Sequence, residues 1–227
     1  MAPLPSPSPS PAPFPSPASD GCIMYLVRHG ATANNLADPP RLQGRHLTAD
    51  LSVRGRSEAD AAARLFPEGS IHHVYSSPLD RAVQTAEIIG APHGLVPETV
   101  DALIEVDVGD WEGRDWDQIQ RSEPEAYERF LANPAIHPYT GGESLQQVSG
   151  RVLPAMLQLL KQNLGNAIVV VAHNVVNRVY VASLLNIPLA KARAIPQHNG
   201  GVNIIRYRKG LERLTTLNAV HHLREVQ

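Results

Sequence analysis

A single cysteine, Cys22, stands in a chain of 227 residues. One thiol excludes an intrachain disulfide and a cysteine-based zinc site, and it fits a reducing compartment, read here as the cytoplasm. Long apolar runs are also missing. The longest, Ala167 to Ala172 and Val179 to Leu185, fall far short of the roughly twenty residues that cross a bilayer, so no membrane partner is expected. Nor does one sign of charge dominate: 20 Lys and Arg against 22 Asp and Glu give a formal net charge of -2, with no block of like charge. Electrostatic capture of nucleic acid is therefore not expected either. Aromatic residues make up only 5%, beside 43% apolar and 19% charged residues, a balance that excludes fibrous, coiled-coil and wholly disordered classes.

Proline is the one residue in excess. Of the 20 prolines, eight occupy every odd position from Pro3 to Pro17, and residues 2 to 19 are Pro, Ser and Ala with one Leu and one Phe. Such a segment buries too little surface to offset its ordering, so residues 1–21 are expected to form an extended, passive tail. They carry no basic leader and no apolar run of seven before a cleavage site, so they do not read as a signal peptide. Met24-Tyr25-Leu26-Val27 runs straight into a predicted strand, which makes Met24 the hypothesised start. Residues 22–227, about 205 of them, are enough to bury about 70% of the unfolded surface in one domain without staples.

Ile23 to Val27 reads as a buried strand ending in Arg28-His29-Gly30, and Ala167 to Ala172 as a second ending in His173-Asn174. Val74-Tyr75-Ser76 is a third. After it, Ser77 is expected to cap a helix whose first position is Pro78, with Leu79, Ala82, Val83, Ala86 and Ile89 on one apolar stripe. Further helices are predicted at Ser52 to Phe66, at Trp116 to Leu131, and from Ser144 to about Asn163, where Ser144 and Gln147 suit a capping box. Strands at Val202 to Tyr207 and Leu211 to Leu217 complete the alternation. The pattern implies an α/β fold: a three-layer α/β/α sandwich around a mostly parallel central sheet.

Polar residues concentrate where three of these strands end: Arg28-His29-Gly30, Ser76-Ser77 with Arg81 beyond, and His173-Asn174. The carboxyl ends of strands line the ligand crevice of open α/β sheets. A cation such as Arg81 in the first turn of a helix is unfavourable against the macrodipole unless an anion lies between them. Two histidines and two arginines on adjacent strand ends make a site for a tetrahedral oxyanion such as phosphate.

Arg28-His29-Gly30-Ala31-Thr32 with Asn35 resembles the signature of the histidine phosphatase superfamily, the phosphoglycerate mutase-like proteins. Gln43-Gly44, Leu51-Ser52 and Gly55, Ser76-Ser77-Pro78-Leu79 with Arg81, Gln84 and Thr85, and Glu105 with Gly109 and Trp111-Glu112-Gly113 follow in family order. Gly142-Glu143-Ser144 and Val171-Ala172-His173 continue it, so the resemblance spans Ile23 to Tyr207. Two positions depart from the pattern: Ala31 stands where many members have Glu, and Asn174 where most have Gly. Asn174 keeps the backbone N–H, while its side chain would project toward the substrate.

The resemblance implies a metal-independent phosphomonoester hydrolase, without cofactor, acting on a small phosphate ester through phosphohistidine. On that reading His29 is the nucleophile, Arg28 and Arg81 clamp the equatorial oxygens, and a protonated His173 adds charge as the phosphoryl group opens. Glu105 serves as general acid and then as base for water. Asn35 and Asn174 would bind substrate; Gln43 and Gly44 would bind it or shape a loop. His46 and His137 could line the mouth. His72-His73 and His221-His222 are read as surface residues, and no metal site is expected. Two alternatives remain. A cofactor-dependent phosphoglycerate mutase would carry a longer insertion than the roughly thirty residues between Gly113 and Glu143, a stretch too mixed in charge to form a basic lid. A phosphate-binding or scaffold module would lack the nucleophile or acid that this chain has. The substrate is not legible, and a homodimer is compatible with the sequence.

Overall fold

Strand β1, Gly21–Arg28, is buried along all but its last residue. Its side chains alternate, as a period of two requires: Ile23, Tyr25 and Val27 join one apolar cluster, Cys22, Met24 and Leu26 another. Both faces of the sheet are therefore covered. The computed structural model describes residues 17–226. The Pro/Ser-rich tail lies, through residue 16, outside the described residues. Gly21 to Ile23, before Met24, are buried and paired with neighbouring strands in β1.

The chain continues through a single turn of helix, α1 (Ala33–Leu36), then α2 (Val53–Ala63), β2 (His73–Ser76), α3 (Asp80–Gly90) and a two-residue strand β3 (Glu98–Thr99). It then forms α4 (Trp116–Ser122), α5 (Pro124–Ala132), α6 (Leu145–Gln162), β4 (Ala167–Ala172), α7 (Asn174–Leu184), β5 (Val202–Arg208) and β6 (Leu211–Ala219), with short 3-10 turns between. The six strands make one sheet in the order β3-β2-β4-β1-β5-β6. β1, β2, β3 and β4 are parallel, while β5 and β6 run antiparallel along one edge. This is the expected three-layer α/β architecture with a mostly parallel sheet. Helices α2 and α3 cover one face through Ala62, Ala82, Ala86 and Ile89. Helices α6 and α7 cover the other through Val148, Val152, Met156, Val176 and Val179. Among the described residues no helix is long and apolar enough to cross a membrane.

Two local expectations need correction, and one strand was not foreseen. Ser77 does not cap α3, because its N–H still bonds Val171 O as an extension of β2; the helix starts at Asp80 with Leu79 at the cap. The single helix predicted from Trp116 to Leu131 is two helices, since Glu123 leaves helical geometry at φ -137°, ψ 54° ahead of Pro124. A residue before proline is disfavoured in the α region. The strand β3 carried no legible pattern, being two exposed residues long.

Candidate active site

The carboxyl ends of β1, β2 and β4 are adjacent because those strands are neighbours in the sheet. Register fixes the rest: Arg28 pairs with Ala172 and Ser76 with Val171, so His29, Ser77 and His173 emerge side by side. The imidazole rings of His29 and His173 have centroids 5.1 Å apart. Both are almost fully enclosed, at 3% and 0% exposure. The loop after His29 is tied down at its backbone: Gly30 N–H donates to Thr85 Oγ1 and Ala31 N–H to the buried Glu58 carboxylate. Gly30 also passes so near α2 that a Cβ there would lie 2.1 Å from Gly55 O.

His29 Nδ1 lies 2.7 Å from the carbonyl oxygen of Gly30. A carbonyl only accepts, so Nδ1 carries the proton and Nε2 keeps its lone pair. Burial, then the Arg81 and Arg28 charges, hold the His29 imidazole well below its ordinary pKa. The ring is neutral at neutral pH. His173 is held down in the same way by burial, Arg81, His29 and Arg28, so the expected protonated His173 is a neutral ring in the protein itself. Its Nε2 pairs with Ser77 Oγ at 2.7 Å.

The arginines are aimed by backbone oxygens. Arg81, at 1% exposure, donates from Nη2 to Gly44 O at 2.8 Å. Arg28 donates from Nη1 to Gln197 O at 2.7 Å, and burial pushes its pKa down to about 10. Each anchor leaves other donors of the guanidinium free. Arg28 Nε, Arg81 Nε, His173 Nδ1, Gln43 Nε2 and Asn174 Oδ1 are buried without a hydrogen-bond partner among the described residues. A buried polar atom left unpaired costs about 1–3 kcal/mol. Five such atoms around one imidazole describe a cradle for a polar ligand.

Glu105 is buried beside this cradle, its two oxygens accepting from the N–H groups of Val106 and Val175. The Arg151 guanidinium holds that loop by donating to the carbonyls of Ala102, Ile104 and Glu105, while pairing with Glu143. A cavity of about 460 Å³ opens from His29, lined by Arg28, Asn35, Gln43, Glu105 and Asn174 among others. Gly44 is not in that lining. Its N–H is bonded to Glu112 and its oxygen to Arg81, and a Cβ there would sit 2.8 Å from Val108, so Gly44 shapes the wall behind Arg81. Asn35 Oδ1 accepts from Thr32 and from Asn199 Nδ2. His46 and His137 lie outside the lining; His46 sits 3.4 Å from Asp107.

The sequence reading passed over several residues that the fold brings here. Arg178, Arg193 and Arg41 line the same cavity, and Asn199 donates to His29 O at 2.9 Å. Arg178 stands five residues past His173, the one charged residue of α7, and that contrast was the available signal. The cavity is consequently richer in cations than the segment from Gly113 to Glu143 suggested, because its arginines come from elsewhere in the chain.

The arrangement defines a class: a sheet-end pocket with a neutral imidazole beside two buried arginines that keep unpaired donors. The chain belongs to the histidine phosphatase superfamily, whose branch 1 model matches residues 24–220. It is similar to phosphoserine phosphatase 1 of Hydrogenobacter thermophilus, 31% identical over 202 residues, covering 89% of this chain and 94% of that protein. It is also similar to phosphoglycerate mutase-like protein 4 of Arabidopsis thaliana, 37% identical over 185 residues, covering 80% and 77%. Among solved structures, Bacillus stearothermophilus YhfR superposes with a TM-score of 0.82 at 27% identity, covering 89% of this chain and all of that one.

Proposed function

We propose that this chain is a metal-independent phosphomonoester hydrolase that passes the phosphoryl group through His29. The observation that carries the reading is the Nδ1–H···O bond to Gly30, which leaves a neutral ring with its Nε2 lone pair free among unpaired arginine donors. In the first step Nε2 attacks phosphorus and the ester P–O bond breaks, while the Glu105 carboxylic acid gives its proton to the departing oxygen. In the second, water attacks the phosphohistidine, Glu105 takes its proton, and the P–N bond breaks to return neutral His29 with inorganic phosphate.

Arg28 and Arg81 neutralise the equatorial oxygens with planar donor forks. His173 adds a donor through Nδ1, and a dianion beside it favours its protonated form. Gln43 Nε2 supplies a further donor, and Asn35, in the same lining, contacts the ester's oxygens. Asn174 presents an acceptor to the alcohol portion. Phosphoserine phosphatase 1, a relative of nearly equal length, supports hydrolysis of a small metabolite ester.

The name of the Arabidopsis relative raises a second reading, phosphate transfer between positions of a glycerate. The test is a phosphate-ester panel in EDTA, with an aryl phosphate included and both released phosphate and isomerised product followed. Release that survives EDTA and disappears in His29→Ala is the expected outcome. Isomerised product without release would replace the hydrolase with a mutase, and tight phosphate binding without turnover would replace it with a binding module.

A further inference from the structure

Resting on the hydrolase reading, we infer that the cavity binds a second anionic group of the substrate, held by Arg193 and Arg178. Arg193 comes from the 3-10 segment Leu189–Ala194 and Arg178 from α7. The Arg193 guanidinium lies over the Trp116 ring, 4.4 Å from its centroid, and 5.4 Å from that of Phe130. Stacking of this kind fixes a planar fork in one orientation. The fork itself is unused: Nη1 is buried without a partner, and Arg193 pairs with no carboxylate among the described residues. Arg178 donates only its Nε, to Ile195 O at 2.8 Å, and likewise has no carboxylate partner.

Two cations placed together, one of them depressed by burial and by the other, repel each other unless negative charge joins them. Asp117 lines the same cavity but, among the ion pairs of the described residues, joins neither. Glu105 lines this cavity together with Arg28, Arg178 and Arg193. The alcohol that Glu105 protonates therefore shares its space with the two guanidinium groups. The same lining also carries the apolar side chains of Val106, Val108, Leu145 and Trp116. A short carbon skeleton with phosphate at one end and a carboxylate or second phosphate at the other satisfies both ends in about 460 Å³.

The experiment compares kcat/KM for 3-phosphoglycerate with that for glycerol 1-phosphate, which lacks the carboxylate. The expected ratio is about tenfold or more, the worth of one charge-assisted hydrogen bond. In Arg193→Gln it collapses toward one; Arg193→Lys keeps a part, having charge without the fork. Should R193Q fail to fold, R178Q makes the same comparison. A wild-type ratio near one overturns the inference, as does a ratio that survives in folded R193Q. 2,3-Bisphosphoglycerate separates the sources: a larger preference for it, also lost in R193Q, assigns the site to a phosphate rather than a carboxylate. Turnover of an aryl phosphate without a second anion keeps the two readings apart. If that turnover is present and the ratio is flat, only this inference falls; if it is absent, the hydrolase reading falls with it.

Discussion

Burying two neutral imidazoles makes stability depend on pH in a way that the site's geometry fixes. Desolvation and the neighbouring Arg81 and Arg28 charges hold both His29 and His173 well below the ordinary histidine value. In the unfolded chain the same rings titrate near 6.5. As pH falls through that value the unfolded state takes up protons that the folded state refuses. The stabilisation is complete above about pH 6.5 and is lost as the medium becomes more acid. With both folded rings still neutral, going from pH 6.5 to 5.5 costs about 1 kcal/mol per ring, or about 2 kcal/mol together. The assay is urea unfolding at a series of pH values in buffers free of phosphate and sulfate. The double variant His29→Asn/His173→Asn serves as reference, because carboxylates and the remaining histidines cancel in the difference. Parallel stability curves for the two proteins across that interval would refute the claim that these rings are buried uncharged.

Other perturbations follow from single contacts. Arg81→Lys keeps a charge but loses the guanidinium in which Nη2 binds Gly44 O and Nη1 binds Leu47 O while Nε stays unpaired, so kcat/KM on an aryl phosphate should fall about 10²-fold or more; steady-state kinetics reads it. Arg151→Met leaves the Ala102, Ile104 and Glu105 carbonyls without their donor and Glu143 without its partner. A loss of about 3 kcal/mol in chemical denaturation is expected, with kcat lowered through a displaced Glu105. Gly55→Ala puts a Cβ 2.0 Å from Ala31 O, where neither backbone can yield without moving the loop after His29. A fall in Tm together with a fall in kcat should appear, and unchanged values of both would show that the close approach is not tight.

What the sequence disclosed, and what it withheld, divides along physical lines. β4 was legible to the residue because Ala167–Ala172 is buried on both faces, and a parallel strand in that position must be apolar throughout. His29 and His173 stood out because polar residues interrupt such strands only at their ends, and Arg81 because a cation is unfavourable in the first turn of a helix. Ser144 and Gln147 form the capping box that their spacing implied. The break at Glu123 was missed because the apolar period carries on through Pro124, even though proline punctuates a helix. Ser77 was misread because a hydroxyl before Pro looks like a cap, whereas its bond to His173 depends on two strands meeting across the sheet. Arg178 and Arg193 lie more than sixty residues from Glu105 in sequence and reach its cavity only through packing, which no local pattern encodes.

The most direct test is to quench a reaction with a radiolabelled aryl phosphate during turnover and map the label. The variant Glu105→Gln should be included, because loss of the group that activates water lets the covalent species accumulate. The expected result is a phosphoramidate on His29, stable in alkali and lost in acid, and more abundant in Glu105→Gln than in the wild-type protein. Label on another residue, or rapid turnover with no adduct in either protein, would contradict the account.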